Sequence, residues 1–387
     1  MSLVLSAEEQ SLRDSVRRFV AERSPLPAIR ELIDAGDAYD PAVWKQLAGQ
    51  LGLASLIIPE EFGGAEAGHA ALTVALAELG AGLVPSPLLA SAVLAAGALL
   101  HLDDEAARTE LLPGIASGEL IATLAITGGP RGLGEPGASG GHVTASGSNM
   151  AASRSNMAAS GSGGDPVTLT GELAPVLSGA QASVLLVPAA GAETVAIYLV
   201  DAGADGLSRE PLTTVDHTRA AARIRLDHTP ARPLAGDAGR ALAAAADLAN
   251  LALAAEQNGA MAACLAMTSE YARLRVAFGQ PIGAFQAVKH RLADMETAWE
   301  LSHAAVREAA RTADEDPDRF SAAASVARVL TSVPYFTAAA DTIQLHGGIG
   351  YTWEHDAHLY YKNALSGKVL LGGPGDQLDR LAATLGI

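Results

Sequence analysis

The sequence predicts a mostly α-helical protein in which one small antiparallel β domain separates a helical N-terminal domain from a C-terminal four-helix bundle. Three observations carry this. Apolar residues recur at helical spacing through the first 118 residues. Between 119 and 233 the pattern changes to short β-branched runs separated by Gly, Pro and Asp. From about residue 237 onward, long Ala- and Leu-rich stretches return. The expected domains are 1–118, 119–233 and 234–387, in keeping with a chain of 387 residues and a prior of roughly 150 residues per domain.

Ser6-Ala-Glu-Glu9 is a capping box, and Leu12, Val16, Phe19 and Val20 follow it at helical spacing. Asp40-Pro41 starts a second helix: Asp caps, and Pro at the first helical position lacks only an amide that had no partner. Val43, Trp44, Leu47 and Leu51 form its buried stripe, and Ser86-Pro87 opens a third helix in the same way. Strands are expected at 120–127, 167–170, 183–188, 194–200 and 222–226. Within that region, 128–166 is a low-complexity tract that carries Ser-Asn-Met-Ala-Ala-Ser twice, at 148–153 and 155–160. Small polar residues of this kind cannot bury a core, so a flexible loop is expected there. Helices then cover 240–275, 285–312 and 320–346, the last with Pro334 as a kink, followed by a shorter terminal helix.

Composition narrows the function. With 49% apolar and 18% charged residues, the chain can build a large core. Its 26 basic against 43 acidic residues give a net charge of −17, which repels phosphate backbones and argues against a nucleic-acid partner. The lone Cys264 excludes an intrachain disulfide or a cysteine-based zinc site. The longest apolar run, 88–100, falls short of the roughly 20 residues of a membrane span. Glu8 and Glu9 interrupt any leader pattern, so a soluble, cytoplasmic protein with no membrane partner is expected.

Three polar groupings have bland readings. His355 and His358, with His346 and Asp356 nearby, have metal-like spacing, but a turn entering a helix accounts for them and no metal is expected. Asp216-His217-Thr218-Arg219 reads as a loop packing the β domain on the last one, with Arg219 paired to an acid. Gly161-Ser-Gly-Gly164 lacks the strand and the Gly-Lys-Ser/Thr of a phosphate loop.

Three ordered motifs are more specific. Tyr271-Ala-Arg-Leu-Arg275-Val-Ala-Phe278-Gly279-Gln-Pro281-Ile282-Gly-Ala-Phe285-Gln286, closing with Leu292-Ala-Asp294-Met295, is the first. Gln344-Leu-His-Gly347-Gly348-Ile-Gly350-Tyr351-Thr-Trp-Glu is the second. Trp44 with Gly52-Leu and Pro59-Glu60-Glu61-Phe-Gly63-Gly64 is the third. Together they resemble the acyl-CoA dehydrogenase family over nearly the whole chain. The resemblance implies FAD as cofactor and an acyl-CoA thioester as substrate. In that chemistry a carboxylate removes the α-proton while the flavin takes the β-hydride.

The resemblance also divides the chain's residues into two halves, because in the family each FAD lies across a subunit boundary. The half lent to a neighbour is intact. Arg275 matches the arginine at the FAD pyrophosphate, Phe278 and Gln286 match positions lining the cofactor, and Gln344 with Gly347-Gly348 matches the loop at the adenosine end. The alternative for these is a helix cap at Gly347 and a surface charge at Arg275. The in-chain half departs from the family. Thr127-Gly128-Gly129 stands where the family has Thr-Glu-Pro, and Pro175 and Leu177 stand in its Trp-x-Thr strand. Leu371 replaces the usual catalytic glutamate, and Ala249 occupies the alternative base position.

This pattern resembles the non-catalytic subunit of actinobacterial heterotetrameric acyl-CoA dehydrogenases, which act on bulky substrates such as steroid side-chain thioesters. The expected partner is a paralogous subunit carrying an intact site. Two alternatives stand beside it: a self-sufficient homo-oligomer using Glu256, two helical turns past Ala249, as a displaced base, or a flavin-free chain that binds an acyl group or a protein. Glu256 reads more simply as a polar residue satisfying its neighbours in the bundle, and Glu354 as a structural acid.

Overall fold

The computed structural model describes residues 4–127, 143–146 (main chain alone past Val143), 167–190 and 195–386. α1 (Ala7–Arg23) begins at the capping box: Ser6 Oγ accepts the Glu9 amide at 3.1 Å, and Glu9 Oε2 accepts the Ser6 amide at 2.7 Å. Glu9 also holds Arg307, whose Nη1 and Nη2 donate to its two oxygens at 2.9 and 3.0 Å, so the cap ties α1 to the C-terminal region. α2 (Leu26–Ala35) ends at Gly36. α3 (Pro41–Lys45) starts where Asp40 Oδ1 accepts the Ala42 and Val43 amides at 2.7 and 3.3 Å. It carries Trp44, whose Nε1 donates to the Gly118 carbonyl at 2.9 Å.

α4 (Gly68–Ala81) is followed by a wider helical turn, Leu89–Ala95, that begins just past Pro87 and continues as α5 (Ala96–Leu100). α6 (Glu105–Ser117) then leads into the sheet. In the Pro59–Gly64 motif, Phe62 is buried, and a Cβ on Gly64 would stand 1.7 Å from the Ile58 carbonyl oxygen, so only glycine fits.

Eight strands form the sheet among the described residues: β1 (Ala122–Leu124), β2 (Val143–Ser146), β3 (Thr168–Leu177), β4 (Val184–Ala190), β5 (Val195–Asp201), β6 (Leu207–Pro211), β7 (Ala221–Pro230) and β8 (Arg232–Pro233). Their order is β6-β7-β3-β2-β4-β5-β8, with β1 paired to β4. The sheet is mixed rather than wholly antiparallel. β1 runs parallel to β4 (Ala122 opposite Val184), and β2 touches β4 in parallel at Thr144 and Ala190. The long connections between these strands allow parallel pairing, which a short hairpin cannot make. β2 also corrects the reading of 128–166 as a loop throughout, because it pairs antiparallel with β3, Val143 opposite Gly171. The remainder of that tract, with both copies of the repeat and Gly161–Gly164, lies outside the described residues.

The C-terminal region consists of α7 (Ala238–Leu274), the hairpin β9 (Val276–Ala277) and β10 (Gln280–Pro281), α8 (Gln286–Glu315), α9 (Phe320–His346), α10 (Ala357–Val369) and α11 (Pro374–Leu385). Pro334 lies inside α9, which runs unbroken. The single short terminal helix expected from sequence is two helices. The chain breaks between them at 370–373, where Leu371 and Gly372 take φ of 57° and 105°. α4 and α7 cross backbone to backbone: a Cβ on Gly80 would lie 2.0 Å from the Glu256 carbonyl oxygen. One buried apolar cluster runs from the N-terminal helices through β1 and β4 to α7. No helix among the described residues is long and apolar enough to cross a membrane.

Candidate flavin site and base positions

The ends of α7 and α9 meet where Tyr271 stacks on His346, ring centroids 4.4 Å apart. Past Tyr271, Arg275 closes α7; its amide donates to the Tyr271 carbonyl and its carbonyl accepts the Ile282 amide, both at 2.8 Å. The hairpin between them turns at Phe278 and Gly279, with φ of 50° and 81°. Past His346, Gly347 caps α9 at φ 66°, and the turn Gly347–Tyr351 follows. The cap geometry expected for Gly347 is therefore present.

Arg275, Phe278, Gln286, Gln344, Gly347 and Gly348 are all exposed on this part of the bundle. Phe278 is 95% exposed, touching Phe285 edge-on at 6.2 Å, and Tyr351 and Trp353 are also largely in solvent. A bulky aromatic at positive φ and in water is unfavourable twice over, once for backbone strain and once for hydration. Arg275 has no carboxylate partner among the described residues. A Cβ on Gly347 or Gly348 would meet nothing within 4 Å, so the main chain there is open to approach from outside. An unpaired guanidinium, an outward aromatic face and open glycine backbone fit a dinucleotide such as FAD approaching from outside the chain.

The in-chain half does not fit FAD. Pro175 sits exposed in a bulge of β3, between Leu173 and Val176, where a residue without an amide donor is tolerated. Leu177, Ala249 and Leu371 are 6%, 0% and 3% exposed and belong to the same apolar cluster. Three of the positions that the resemblance aligns with flavin-strand and base residues, Leu177, Ala249 and Leu371, are thus packed aliphatic side chains. Thr127 is buried, and Gly128 and Gly129 lie outside the described residues.

A residue that sequence reasoning missed stands beside this break. Arg328 of α9 is 1% exposed; Nη1 donates to Gln257 Oε1 at 2.8 Å, and Nη2 to the carbonyls of Gly367 and Leu370. Burial pushes its pKa down to about 10. The available signal was a lone arginine in the Ala- and Ser-rich run 321–332.

Glu256 is engaged. Arg219 Nη2 donates to its Oε2 at 2.8 Å, and Arg219 Nε lies 4.0 Å from Asp216 Oδ2. Asp216 in turn accepts from Thr218, and from Asn363 Nδ2 at 3.0 Å. The 216–219 loop therefore packs the sheet on the C-terminal helices, with Arg219 paired to an acid.

His346 and His355 are in ring contact at 4.3 Å, and His358 packs edge-on to Trp353 at 4.7 Å. Both His358 ring nitrogens are buried without partners. Burial first, then Lys362 and Arg30, lower its pKa to about 4. Asp356 pairs with Arg30 at 2.7 Å, and Glu354 is exposed. No group of three or more His, Cys, Asp or Glu among the described residues is placed to hold a metal ion.

Comparison with known proteins places this fold. Residues 6–119 match the acyl-CoA dehydrogenase N-terminal domain, and 238–386 match the acyl-CoA dehydrogenase C-terminal domain. The chain belongs to the acyl-CoA dehydrogenase family, oxidoreductases that depend on FAD. It is 36% identical to acyl-CoA dehydrogenase IpdE2 of Mycobacterium tuberculosis, over 97% of this chain and 96% of that protein. Among solved structures it resembles the ChsE4-ChsE5 complex from M. tuberculosis (29% identical, TM-score 0.85, covering 100% of this chain and 99% of that one). A Tcur3481-Tcur3483 steroid ACAD variant is similar too (31% identical, TM-score 0.81, 98% of each chain).

Proposed function

We propose that this chain is the subunit of a heteromeric acyl-CoA dehydrogenase that completes the FAD site of a paralogous partner and carries no base of its own. The observation that carries this is the division of its residues. Leu177 of the in-chain flavin strand and both base positions, Ala249 and Leu371, are sealed in one apolar cluster, while those a neighbour would use are all exposed. Leucine and alanine cannot accept a proton, so Leu371 and Ala249 take no part in α-proton abstraction. FAD would supply the hydride acceptor, and the partner would supply the carboxylate. Arg275 would pair with the pyrophosphate through its guanidinium fork, Phe278 and Gln286 would cover the ring system, and the Gly347-Gly348 backbone with Gln344 would receive the adenosine end.

The relatives support the same reading. ChsE4-ChsE5 and Tcur3481-Tcur3483 each name two components, and the second is called a steroid ACAD. A bulky, steroid-derived acyl-CoA is therefore the proposed substrate class, and a heterotetramer the proposed assembly. Arg275→Ala in the co-purified complex tests the reading. The expected result is a loss of bound flavin from a complex that still assembles; unchanged flavin would contradict it.

A further inference from the structure

α1 does not close on the bundle. Between it and α4, α7 and α8 lies a cleft of about 660 Å³, a size suited to a small molecule. Its floor is made of small residues, among them Ala77, Gly259, Ala262, Ala263 and Ala266. That floor is stiff, because a Cβ on Gly259 would stand 1.8 Å from the Ala77 carbonyl oxygen and the two backbones already touch. Trp299 forms a flat wall, stacked with His303 at 5.7 Å. The charges at the rim are already paired: Arg17 holds Glu78 at 2.7 Å, and Arg307 holds Glu9 at 2.9 Å.

Arg307 Nε is buried without a partner, and His303 offers a further polar atom to the cleft. Asn258 Nδ2 donates to the Trp299 carbonyl at 3.2 Å and to Ser302 Oγ at 2.9 Å, so its Oδ1 is the atom facing His303 Nδ1 at 3.4 Å. The His303 proton therefore sits on Nδ1. Burial, then Arg307, holds this imidazole below its ordinary pKa, so it is neutral near pH 7. Nε2 is then an acceptor that no described residue occupies.

We propose that this cleft binds an apolar alcohol with a fused-ring or long-chain body, the body lying on the alanine floor beside Trp299 and the hydroxyl donating to His303 Nε2. A carboxylate is the wrong head group, since a lone-pair acceptor repels it and the arginines are already neutralised. The cleft is separate from the base positions: Asn258 lies nine residues past Ala249 on α7, about 13 Å along the axis. The proposal does not depend on how the flavin site is shared.

Three pyrene probes test it, titrated into the full chain and read by energy transfer from tryptophan. They are 1-pyrenemethanol, 1-methylpyrene and 1-pyrenecarboxylate. The expected result is one saturable site per chain, with the alcohol bound about tenfold more tightly than the hydrocarbon, the contribution of one hydrogen bond. In His303→Phe that preference disappears while hydrocarbon binding remains. In Ala262→Leu, which fills the floor, all three probes lose affinity. Either variant alone decides the matter if the other fails to fold. The proposal is overturned by the absence of a saturable site, by equal binding of alcohol and hydrocarbon to the native chain, by tightest binding of the carboxylate, or by affinities that filling leaves unchanged.

Discussion

Arg219 and Glu256 face each other at 2.8 Å, joining the loop between β6 and β7 to the middle of α7. Their side chains are 18% and 17% exposed, so each charge depends on the other for much of its solvation. Arg219 also leans on Asp216, which Asn363 of α10 holds. The β6–β7 loop, α7 and α10 thus meet in one charged cluster, and Glu256 is its α7 member.

Glu256→Gln should therefore act on stability rather than on chemistry. Cancelling one charge of a largely buried pair costs about 2–4 kcal/mol, readable as a lower urea midpoint. Acyl-CoA-dependent flavin bleaching by the folded complex should keep its rate. Abolished bleaching with normal stability would instead make Glu256 a base.

Arg328 holds the chain at the break before α11. Arg328→Met would leave the carbonyls of Gly367 and Leu370 and the Gln257 side chain without their donor, at a cost of about 3 kcal/mol. Arg328→Lys should recover only part, because a single ammonium cannot span three acceptors as the guanidinium does. Chemical denaturation of the two variants checks the order; equal stability of Met variant and native chain would remove Arg328 from this role.

His358 should make the fold sensitive to acid. Its ring stays neutral in the fold down to a pKa of about 4, whereas in the unfolded chain it protonates near 6.5. The unfolded state binds the extra proton, so this contribution to stability is complete above pH 6.5 and is lost as pH falls toward 4. At pH 5 the loss is about 2 kcal/mol. His358→Phe keeps the edge contact with Trp353 without the titrating nitrogens, so its thermal midpoint should fall less between pH 7.5 and 5 than that of the native chain.

What the sequence disclosed follows the range of the interactions involved. Ser6 with Glu9 and Asp40 with the Ala42 amide act within three residues, and both caps stand where the residue types place them. The three long C-terminal helices were legible for the same reason, since alanine-rich periodicity is local. β6 was not, because Ser208, Arg209 and Glu210 lack the β-branched signature and are held by pairing with β7. Val143–Ser146 was hidden by its low-complexity flanks, and its strand character comes from Gly171 and Thr170 opposite. At the site, the motifs carried the positions of Arg275 and Gly347. The pairing of Glu256 with Arg219, 37 residues earlier, and the hold of Arg328 on Leu370 are long-range contacts with no local trace.

The most direct test of the shared flavin site is flavin stoichiometry, measured by absorbance for this chain purified alone and after co-expression with its nearest paralogue that retains the glutamate and the Trp-x-Thr strand. The account predicts little flavin on the chain alone and one FAD for each pair of unlike chains. One FAD per chain in the lone protein would contradict it.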